Sequence, residues 1–208
     1  MKVYFDIGAN DGDFCFKWIE EKDAIVYAFE PQKELYEELH TKSLGYDNFF
    51  VYNVAVSDNT DKLNGVTSKE LFTYENHGVN SLFPFLQGDE FLKRKSSHFP
   101  KRIDWVETIR LDDFLLQNNI DNIDFMKINT NGSEVSVLNS LGNLIERVKK
   151  IRTTSIVRGF RKNIPWPSGC KDDDIRDWMN NNNFEMSEKD VGQWYNWNFT
   201  DMTFVNKN

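Results

Sequence analysis

The sequence contains few cysteines, no long apolar run and no excess of basic residues. Cys15 and Cys170 are the only cysteines among 208 residues, which excludes a disulfide-stapled chain and indicates reduced thiols in a cytosolic protein. No apolar run approaches the ~18 residues that a membrane-spanning helix needs. The N-terminus begins Met-Lys-Val-Tyr-Phe and lacks a secretory pattern. We therefore expect a cytoplasmic protein with no membrane span.

The net charge is negative. Asp and Glu outnumber Lys and Arg by 33 to 25, a formal net charge of −8. Proteins that bind nucleic acid are usually basic, so nucleic acid is disfavoured as a partner. Hydrophobic residues make up 39% of the chain, which is enough for a core and too many for a disordered protein. The length fits a single domain, residues 1–208, which is either a minimal enzyme or one domain of a longer polypeptide.

Strand-like and helix-like segments alternate at the start of the chain. Lys2–Ile7, Ile25–Phe29 and Phe49–Val56 are apolar runs of the kind that form buried strands. Helices are predicted between them at Asp13–Lys22 and Gln32–Lys42. This alternation predicts an α/β fold, a doubly wound domain with a mostly parallel twisted sheet and helices on both faces.

The rest of the chain extends this pattern. The segment Ser57–Thr108 is less regular and predicts two or three short strands. Ser133 is predicted to cap the helix that it begins. The further predicted elements are helices at Leu111–Asn118, Ser133–Leu141 and Asp172–Asn182, strands at Asp124–Ile128 and Lys150–Val157, and a terminal antiparallel hairpin formed by Phe184–Ser187 and Met202–Asn206.

The first predicted strand ends in a glycine turn surrounded by acids, FDIGANDGDF. In open α/β sheets, ligands bind at the carboxyl ends of the strands. A dinucleotide site has glycines in the pattern G-x-G-x-x-G, whereas these three positions hold Gly8, Asn10 and Asp13. The aspartates of this segment would repel a diphosphate. A ligand with a cationic centre and an ammonium group, such as S-adenosylmethionine, would be attracted instead.

A second acid ends the next predicted strand. Glu30 follows Asp6 by 24 residues, and an acid at this place accepts hydrogen bonds from ribose hydroxyls. NAD sites and S-adenosylmethionine sites share that feature, so it supports nucleoside binding without choosing between them. Either acid alone could merely solvate a strand end, but their matched positions favour a site.

Six segments of the chain resemble the FkbM-type methyltransferases. They are FDIGANDGDF, YAFEPQKELYEEL, NVAVSD, NSL, TIRLDDFL and DFMKINTNGSEVSVL, in the family's order over roughly residues 3–141. The resemblance implies a Rossmann-like methyltransferase fold that uses S-adenosyl-L-methionine. It implies methyl transfer to oxygen on a sugar, a glycan or a related small molecule, and fusion to or association with glycosyltransferase domains.

The resemblance also implies which residues hold the cofactor. The glycine turn would line its methionine end, Glu30 would hold the ribose and residues 55–57 would lie beside the adenine. The implied cofactor-binding residues are Asp6, Gly8, Ala9, Asn10, Gly12, Asp13, Phe14, Glu30, Pro31, Ala55, Val56 and Ser57.

The chain departs from the family in one motif. The family pattern resembles K-I-D-x-E-G-x-E, whereas this chain has Lys127-Ile-Asn129-Thr-Asn131-Gly132-Ser-Glu134. An amide cannot take a proton at neutral pH, but it can orient a hydroxyl group. The loss of two carboxylates also favours a site without a metal ion.

Four residues are candidates for catalysis. Asn129 would orient the acceptor, and Lys127 is retained from the family motif. His77 is a candidate base because imidazole titrates near neutrality, although it could be an exposed loop histidine. Glu134 is another, although an acid in the first turn of a helix stabilises that helix anyway. A further alternative is catalysis by alignment with no dedicated base.

The acceptor is expected against the loop Arg158–Cys170, which follows the fifth main strand. A second segment, Gln193–Phe199, could also shape the acceptor pocket, because its aromatic rings and asparagines suit a sugar, or it could pack around the terminal hairpin. Arg158, Trp166 and Asn131 are the candidate acceptor-binding residues. Three other functions remain open: a non-catalytic S-adenosylmethionine-binding module, a nucleotide-dependent oxidoreductase on the same fold, and nucleic-acid methylation. The two asparagines support the first, the acids of the glycine turn count against the second, and the net charge disfavours the third.

Overall fold

A seven-stranded sheet forms the centre of the computed structural model. The structure describes residues 1–21, 23–58, 62–63, 66–75, 77–84, 100–156, 169–194 and 197–208. Its strands are β1 (Lys2–Ile7), β2 (Ala24–Phe29), β3 (Phe49–Tyr52), β4 (Ala55–Val56), β5 (Lys62–Leu63), β6 (Val66–Thr73), β7 (Arg102–Ile109), β8 (Phe125–Ile128), β9 (Lys150–Ile156), β10 (Phe184–Trp194) and β11 (Trp197–Asn206). Its α-helices are α1 (Asp13–Ile19), α2 (Lys33–Ser43), α3 (Leu111–Gln117), α4 (Glu134–Asn139) and α5 (Asp172–Asn181).

The main sheet has the strand order β10-β11-β9-β8-β1-β2-β3. Strands β3, β2, β1, β8 and β9 are parallel, and the β10–β11 hairpin joins β9 in antiparallel pairing. The predicted terminal hairpin is therefore confirmed, although both of its strands are longer than predicted. Because the parallel strands point the same way, the ends of β1, β2 and β8 meet at one edge of the sheet.

Helices cover both faces of the sheet. Tyr4 packs in a cluster with Cys15 of α1 and Leu39 of α2, whereas its neighbour Phe5 packs with Phe114 of α3 and with α4 and α5. Adjacent residues of a strand point to opposite faces, so α1 and α2 lie on one face and α3, α4 and α5 on the other. The fold class predicted from the sequence is confirmed.

The predicted strand Phe49–Val56 is wrong as a single element. The chain leaves the main sheet after β3, and β4 pairs in parallel with β7 in a second sheet of order β4-β7-β6-β5. At the break, the Asn53 amide donates to the carbonyls of Glu30 and Pro31, at 2.9 and 3.0 Å. These bonds fix the start of the turn that carries the chain from one sheet to the other.

The predicted cap of α4 is also wrong. The Ser133 hydroxyl makes no capping bond to the helix and instead donates to the carbonyl of Thr130 at 3.3 Å. At the N-terminus of α5, the Asp174 carboxylate accepts the backbone N–H of Lys171 at 2.8 Å. Across the described ranges, no helix is long and apolar enough to cross a membrane.

Candidate active site

A cavity of about 300 Å³ lies at the shared edge of β1, β2 and β8. Its volume is at the lower end of the range for small-molecule pockets. The structure brings twelve of the residues predicted from the sequence into its lining. They are Gly8, Ala9, Asn10, Asp13, Phe14, Glu30, Pro31, Ala55, Val56, Lys127, Asn129 and Asn131.

Other predicted site residues lie elsewhere. Asp6, Gly12, Ser57 and Glu134 are outside the cavity lining. His77 belongs to a short 3-10 helix, His77–Val79, whose Gly78 lines the cavity; the position of its imidazole is not described. Arg158 and Trp166 lie outside the described residues.

The glycine turn needs residues without a bulky side chain. Gly8 has φ of +76°, and a Cβ atom there would lie 2.2 Å from the carbonyl oxygen of Asn129. Gly12 has φ of +86°, and its Cβ would lie 2.4 Å from Leu39 Cδ1. Asn10 between them also has positive φ, 52°, which asparagine tolerates better than most residues. These glycines let the turn pack against β8 and α2.

Glu30 holds the glycine turn against the end of β2. Its carboxylate accepts the backbone N–H of Asn10 at 2.8 Å and that of Gln32 at 2.9 Å, one on each oxygen. The side chain is almost fully buried, and burial raises the pKa of Glu30 to about 7. Each carboxylate oxygen has a second lone pair, so the group can accept ligand hydroxyls while it holds the turn.

Asp6 lies beneath the cavity in a buried ion pair. Lys127 Nζ donates to Asp6 Oδ1 at 2.9 Å and to the carbonyl of Gly8 at 3.0 Å. The Cys15 thiol donates to the other Asp6 oxygen at 3.2 Å. Lys127 is thus anchored on two partners, while its ammonium lies 5.2 Å from the centre of the Phe14 ring. Asp6 positions Lys127, and Lys127 reaches the cavity wall.

Asn131 ties the loop after β8 to the opposite wall of the cavity. Its side-chain amide donates to the carbonyls of Gly78 at 3.1 Å and Asn80 at 2.8 Å. The Ser81 hydroxyl donates to the Asn131 carbonyl at 2.8 Å. A carboxylate has no proton to donate in its ionised form, so these contacts require the amide. The departure from the family motif at this position therefore has a structural reason.

Asn129 and Glu134 differ in their surroundings. Asn129 is exposed and lies in the cavity wall. Glu134 is buried, and its carboxylate accepts the backbone N–H groups of Thr130 at 3.0 Å and Gly132 at 2.9 Å, and the Cys170 thiol at 3.0 Å. Burial raises the pKa of Glu134. Its contacts shape the loop that carries Asn129.

Sequence reasoning missed the opposite wall of the cavity. Leu35 of α2, Leu71 of β6 and the residues from Asn80 to Leu82 also line it. The segment Asn80–Leu82 is one of the six segments that resemble the family, and this resemblance could have marked it as part of the site. No local signal marks Leu35 or Leu71, because they reach the cavity through long-range packing. No group of three His, Cys, Asp or Glu side chains is placed to hold a metal ion within the ranges that the structure describes.

Comparison with known proteins identifies the family of the chain. A family model described as a methyltransferase FkbM domain matches residues 6–186. A search of curated proteins finds no match. The family resemblance read from the motifs is therefore confirmed by an independent match over most of the chain.

Solved structures share the fold. Magnesium protoporphyrin IX methyltransferase from Synechocystis PCC 6803, solved with bound SAM, is 11% identical with a TM-score of 0.53, covering 99% of this chain and 70% of that one. An rRNA methylase from Streptococcus thermophilus is 11% identical with a TM-score of 0.51, covering 99% and 87%. A protein from Listeria monocytogenes serotype 4b is 10% identical with a TM-score of 0.52, and the chain spans only 62% of its length. At these identities the similarity shows the fold alone.

Proposed function

Because the chain belongs to the FkbM methyltransferase family, we propose that it transfers a methyl group from S-adenosylmethionine to a hydroxyl of a sugar, a glycan or a related small molecule. S-adenosylmethionine is the cofactor of the family. The names of two structural neighbours refer to a porphyrin and to rRNA, and these molecules belong to the description of those proteins alone. A cytoplasmic location and an association with glycosyltransferase domains are further parts of this proposal.

One observation carries the proposal: the cavity combines a glycine turn with a buried carboxylate at the ends of adjacent strands. Glu30 lines the cavity directly after β2 and would hold the ribose in this proposal, and Asp11 and Asp13 line the part of the cavity formed by the turn. These carboxylates suit an ammonium group and a sulfonium, and they oppose a diphosphate. Ile7, Phe29 and the short strand β4 supply apolar surface on which a nucleobase can pack. The residues present therefore fit S-adenosylmethionine.

When bound, the cofactor supplies an electrophilic methyl group on a sulfonium. Asn129 lies in the wall of the cavity, and in this proposal its amide holds the acceptor hydroxyl in line with that methyl group. Methyl transfer to that oxygen would leave S-adenosylhomocysteine, and the hydroxyl proton would pass to water. No dedicated base is required in this proposal, because alignment supplies much of the rate increase.

Lys127 and Glu134 act by position in this mechanism. Lys127 is held by Asp6 and the Gly8 carbonyl, which places a fixed positive charge beside the glycine turn. Glu134 keeps the loop of Asn129 in shape through two backbone N–H groups. His77 stays a candidate base; if it takes the proton, His77→Ala should reduce the rate by about 10²–10⁴.

A non-catalytic S-adenosylmethionine-binding module is the second candidate. Two observations favour it: Asn129 replaces an acid of the family motif, and Asn131 is engaged with the backbone of the opposite wall. An oxidoreductase is disfavoured because carboxylates line the cavity where a pyrophosphate would lie.

Two measurements separate these candidates. Calorimetry with S-adenosylmethionine and with NAD tests the cofactor, and tight binding of NAD alone would favour the oxidoreductase. Incubation with trideuteriomethyl-labelled S-adenosylmethionine and a panel of glycosides tests catalysis, read by mass spectrometry. Labelled product supports the O-methyltransferase, whereas cofactor binding without product from any acceptor would favour the module.

A further inference from the structure

A second cavity adjoins the one described above. It has a volume of about 360 Å³ and shares Phe14, Lys127 and Asn129 with the first. The rest of its wall comes from β9, β10 and β11, on the far side of β8 from the glycine turn, including Arg152 and Thr154 of β9 and Asp201 of β11. The two cavities therefore meet at Asn129, the residue that would orient the acceptor.

We propose that this second cavity is the acceptor site, and that Arg152, Thr154 and Asp201 bind two neighbouring hydroxyls of a neutral sugar ring. The inference rests on the proposed function, because an acceptor site has meaning only beside a cofactor site. It names residues that neither the sequence motifs nor the family match point to.

The three side chains form one hydrogen-bonded group. Arg152 Nη2 donates to Asp201 Oδ2 at 2.8 Å, and the Thr154 hydroxyl donates to Asp201 Oδ1 at 2.6 Å. Asp201 and Thr154 are register partners on neighbouring strands, so the backbone sets their spacing. Each carboxylate oxygen keeps a lone pair after these contacts, and a guanidinium has five N–H groups. The group can accept a hydrogen bond from one hydroxyl and donate a hydrogen bond to the next.

The side chains of this group are also accessible. Those of Arg152 and Asp201 are 32% and 35% exposed, which is unlike the buried Asp6–Lys127 pair at 0% and 8%. A ligand can therefore reach Arg152 and Asp201 without any rearrangement of the core. The buried Asp6–Lys127 pair, by contrast, stabilises the glycine turn through the bond from Lys127 to the Gly8 carbonyl.

The charge of the cavity favours a neutral ligand. Arg152 is paired with Asp201, and Lys127 is paired with Asp6, so each positive charge of these two pairs already has a carboxylate partner. An anionic acceptor would have to displace Asp201 or lie against it. A neutral polyol can bind the pair without breaking it, because its hydroxyls both donate and accept.

Phe14 supplies an apolar surface at the junction of the cavities. Its ring centre lies 5.2 Å from Lys127 Nζ, 5.3 Å from Lys17 Nζ and 5.8 Å from Arg152 Cζ. An aromatic ring in the wall of a cavity can pack on the C–H face of a sugar while the polar group binds its hydroxyls. This combination of one aromatic face and one donor–acceptor group is suited to a pyranose.

Gly192 offers a way to block the site without changing the polar group. It lines the second cavity, and a Cβ atom placed on it would have no neighbour within 4 Å. Gly192→Phe should therefore fill the cavity with little strain. Asp201→Asn removes the charge of the polar group instead. Asp104→Asn is the matched control, because Asp104 is paired with Arg102 at 2.6 Å and is 31% exposed, but lines neither cavity.

The test is saturation-transfer NMR on the full chain, with and without S-adenosylhomocysteine. The probes are methyl α-D-mannopyranoside, methyl α-D-glucopyranoside and D-galacturonate. We expect a neutral glycoside to bind the wild type and the Asp104→Asn variant equally. Binding should weaken by about tenfold or more in both variants, because Asp201→Asn removes a charged partner of the sugar hydroxyls and Gly192→Phe blocks access to that partner.

Several results would overturn the inference. These are a preference for D-galacturonate, no binding of either neutral glycoside, or unchanged binding in Asp201→Asn or Gly192→Phe. Thermal unfolding of each variant shows whether a loss of binding is a loss of fold. Failure of the proposed function is a different result, since it would appear as absent S-adenosylmethionine binding in calorimetry while the glycosides still bind.

Discussion

The cofactor side and the acceptor side of this site are stabilised by different kinds of contact. On the cofactor side, buried Glu30 accepts N–H groups from Asn10 and Gln32, which lie close to it at the ends of neighbouring elements. On the acceptor side, Arg152 and Asp201 are partly exposed and come from strands far apart in the sequence. The contacts on the cofactor side are buried in the core, whereas those on the acceptor side lie at the surface. Substitutions should therefore affect stability on the first side and ligand choice on the second.

The largest expected effect is the loss of the buried ion pair. Lys127→Met leaves Asp6 charged, buried and without its cation, which should cost about 3–5 kcal/mol in the free energy of unfolding. Urea unfolding measures this cost. The control is Lys149→Met, since Lys149 forms an exposed pair with Asp124 at 2.7 Å and such pairs contribute little.

A double variant tests the cause of that loss. Asp6→Asn together with Lys127→Met removes both charges, so part of the lost stability should return. If Lys127→Met unfolds no more easily than Lys149→Met, the buried pair does not support the cofactor side.

Asn131 and Asn129 allow one substitution to be compared at two positions. Asn131→Asp removes a donor from the carbonyls of Gly78 and Asn80, so it should cost about 1–3 kcal/mol in stability. Hydrogen exchange of residues 78–81 should become faster, because that segment is held to the loop by this amide. Unchanged exchange in Asn131→Asp would show that the opposite wall is held by other contacts.

Asn129→Asp should have a smaller effect. Asn129 is exposed in the cavity wall, so the variant should keep the stability of the wild type. If the amide only orients the acceptor, the methyl-transfer rate should change by less than about tenfold, or ~1.4 kcal/mol of barrier. A silent wild type and an active Asn129→Asp variant would mean that the chain is a cofactor-binding module.

The sequence pointed to much of the lining of the first cavity and to less of the second, for a physical reason. The parallel strands are short apolar runs buried on both faces, and the glycine turn needs positive φ at Gly8 and Gly12. Both features depend on local sequence. The strand Phe49–Val56 was wrong because Asn53 bonds to Glu30 and Pro31, which sequence spacing does not reveal. Arg152, Thr154 and Asp201 meet through strand pairing between distant segments.

The roles within the cofactor side were less predictable than their positions. Asp6 was expected to line the methionine end, and the structure places it beneath the cavity as the partner of Lys127. Glu134 was considered as a base, and the structure buries it among loop N–H groups. A carboxylate at a strand end has several partners within reach, and the three-dimensional arrangement decides which of them it binds.

The neutral and the ionised forms of Glu30 can be compared near neutral pH. Burial raises its pKa to about 7, above the value near 4.3 of an unfolded glutamate. Compared with the unfolded chain, the folded protein without ligand therefore favours the neutral form of Glu30. The contribution of Glu30 to the stability of the folded protein is fully present below about pH 4.3 and is lost as the pH rises through about 7. Ribose hydroxyls donate to the ionised form, so cofactor binding should show the opposite trend.

The most direct test of this account is calorimetric titration of S-adenosylmethionine into the wild type and Glu30→Gln. The affinity of the wild type should rise by about tenfold between about pH 6 and about pH 8, as the Glu30 carboxyl ionises. Glu30→Gln should bind more weakly by about 1–3 kcal/mol at the higher pH, the cost of a lost charged hydrogen-bond partner, and should lack this rise. Equal affinities in the two proteins, or the same pH dependence in both, would contradict the assignment of Glu30 as the group that holds the cofactor.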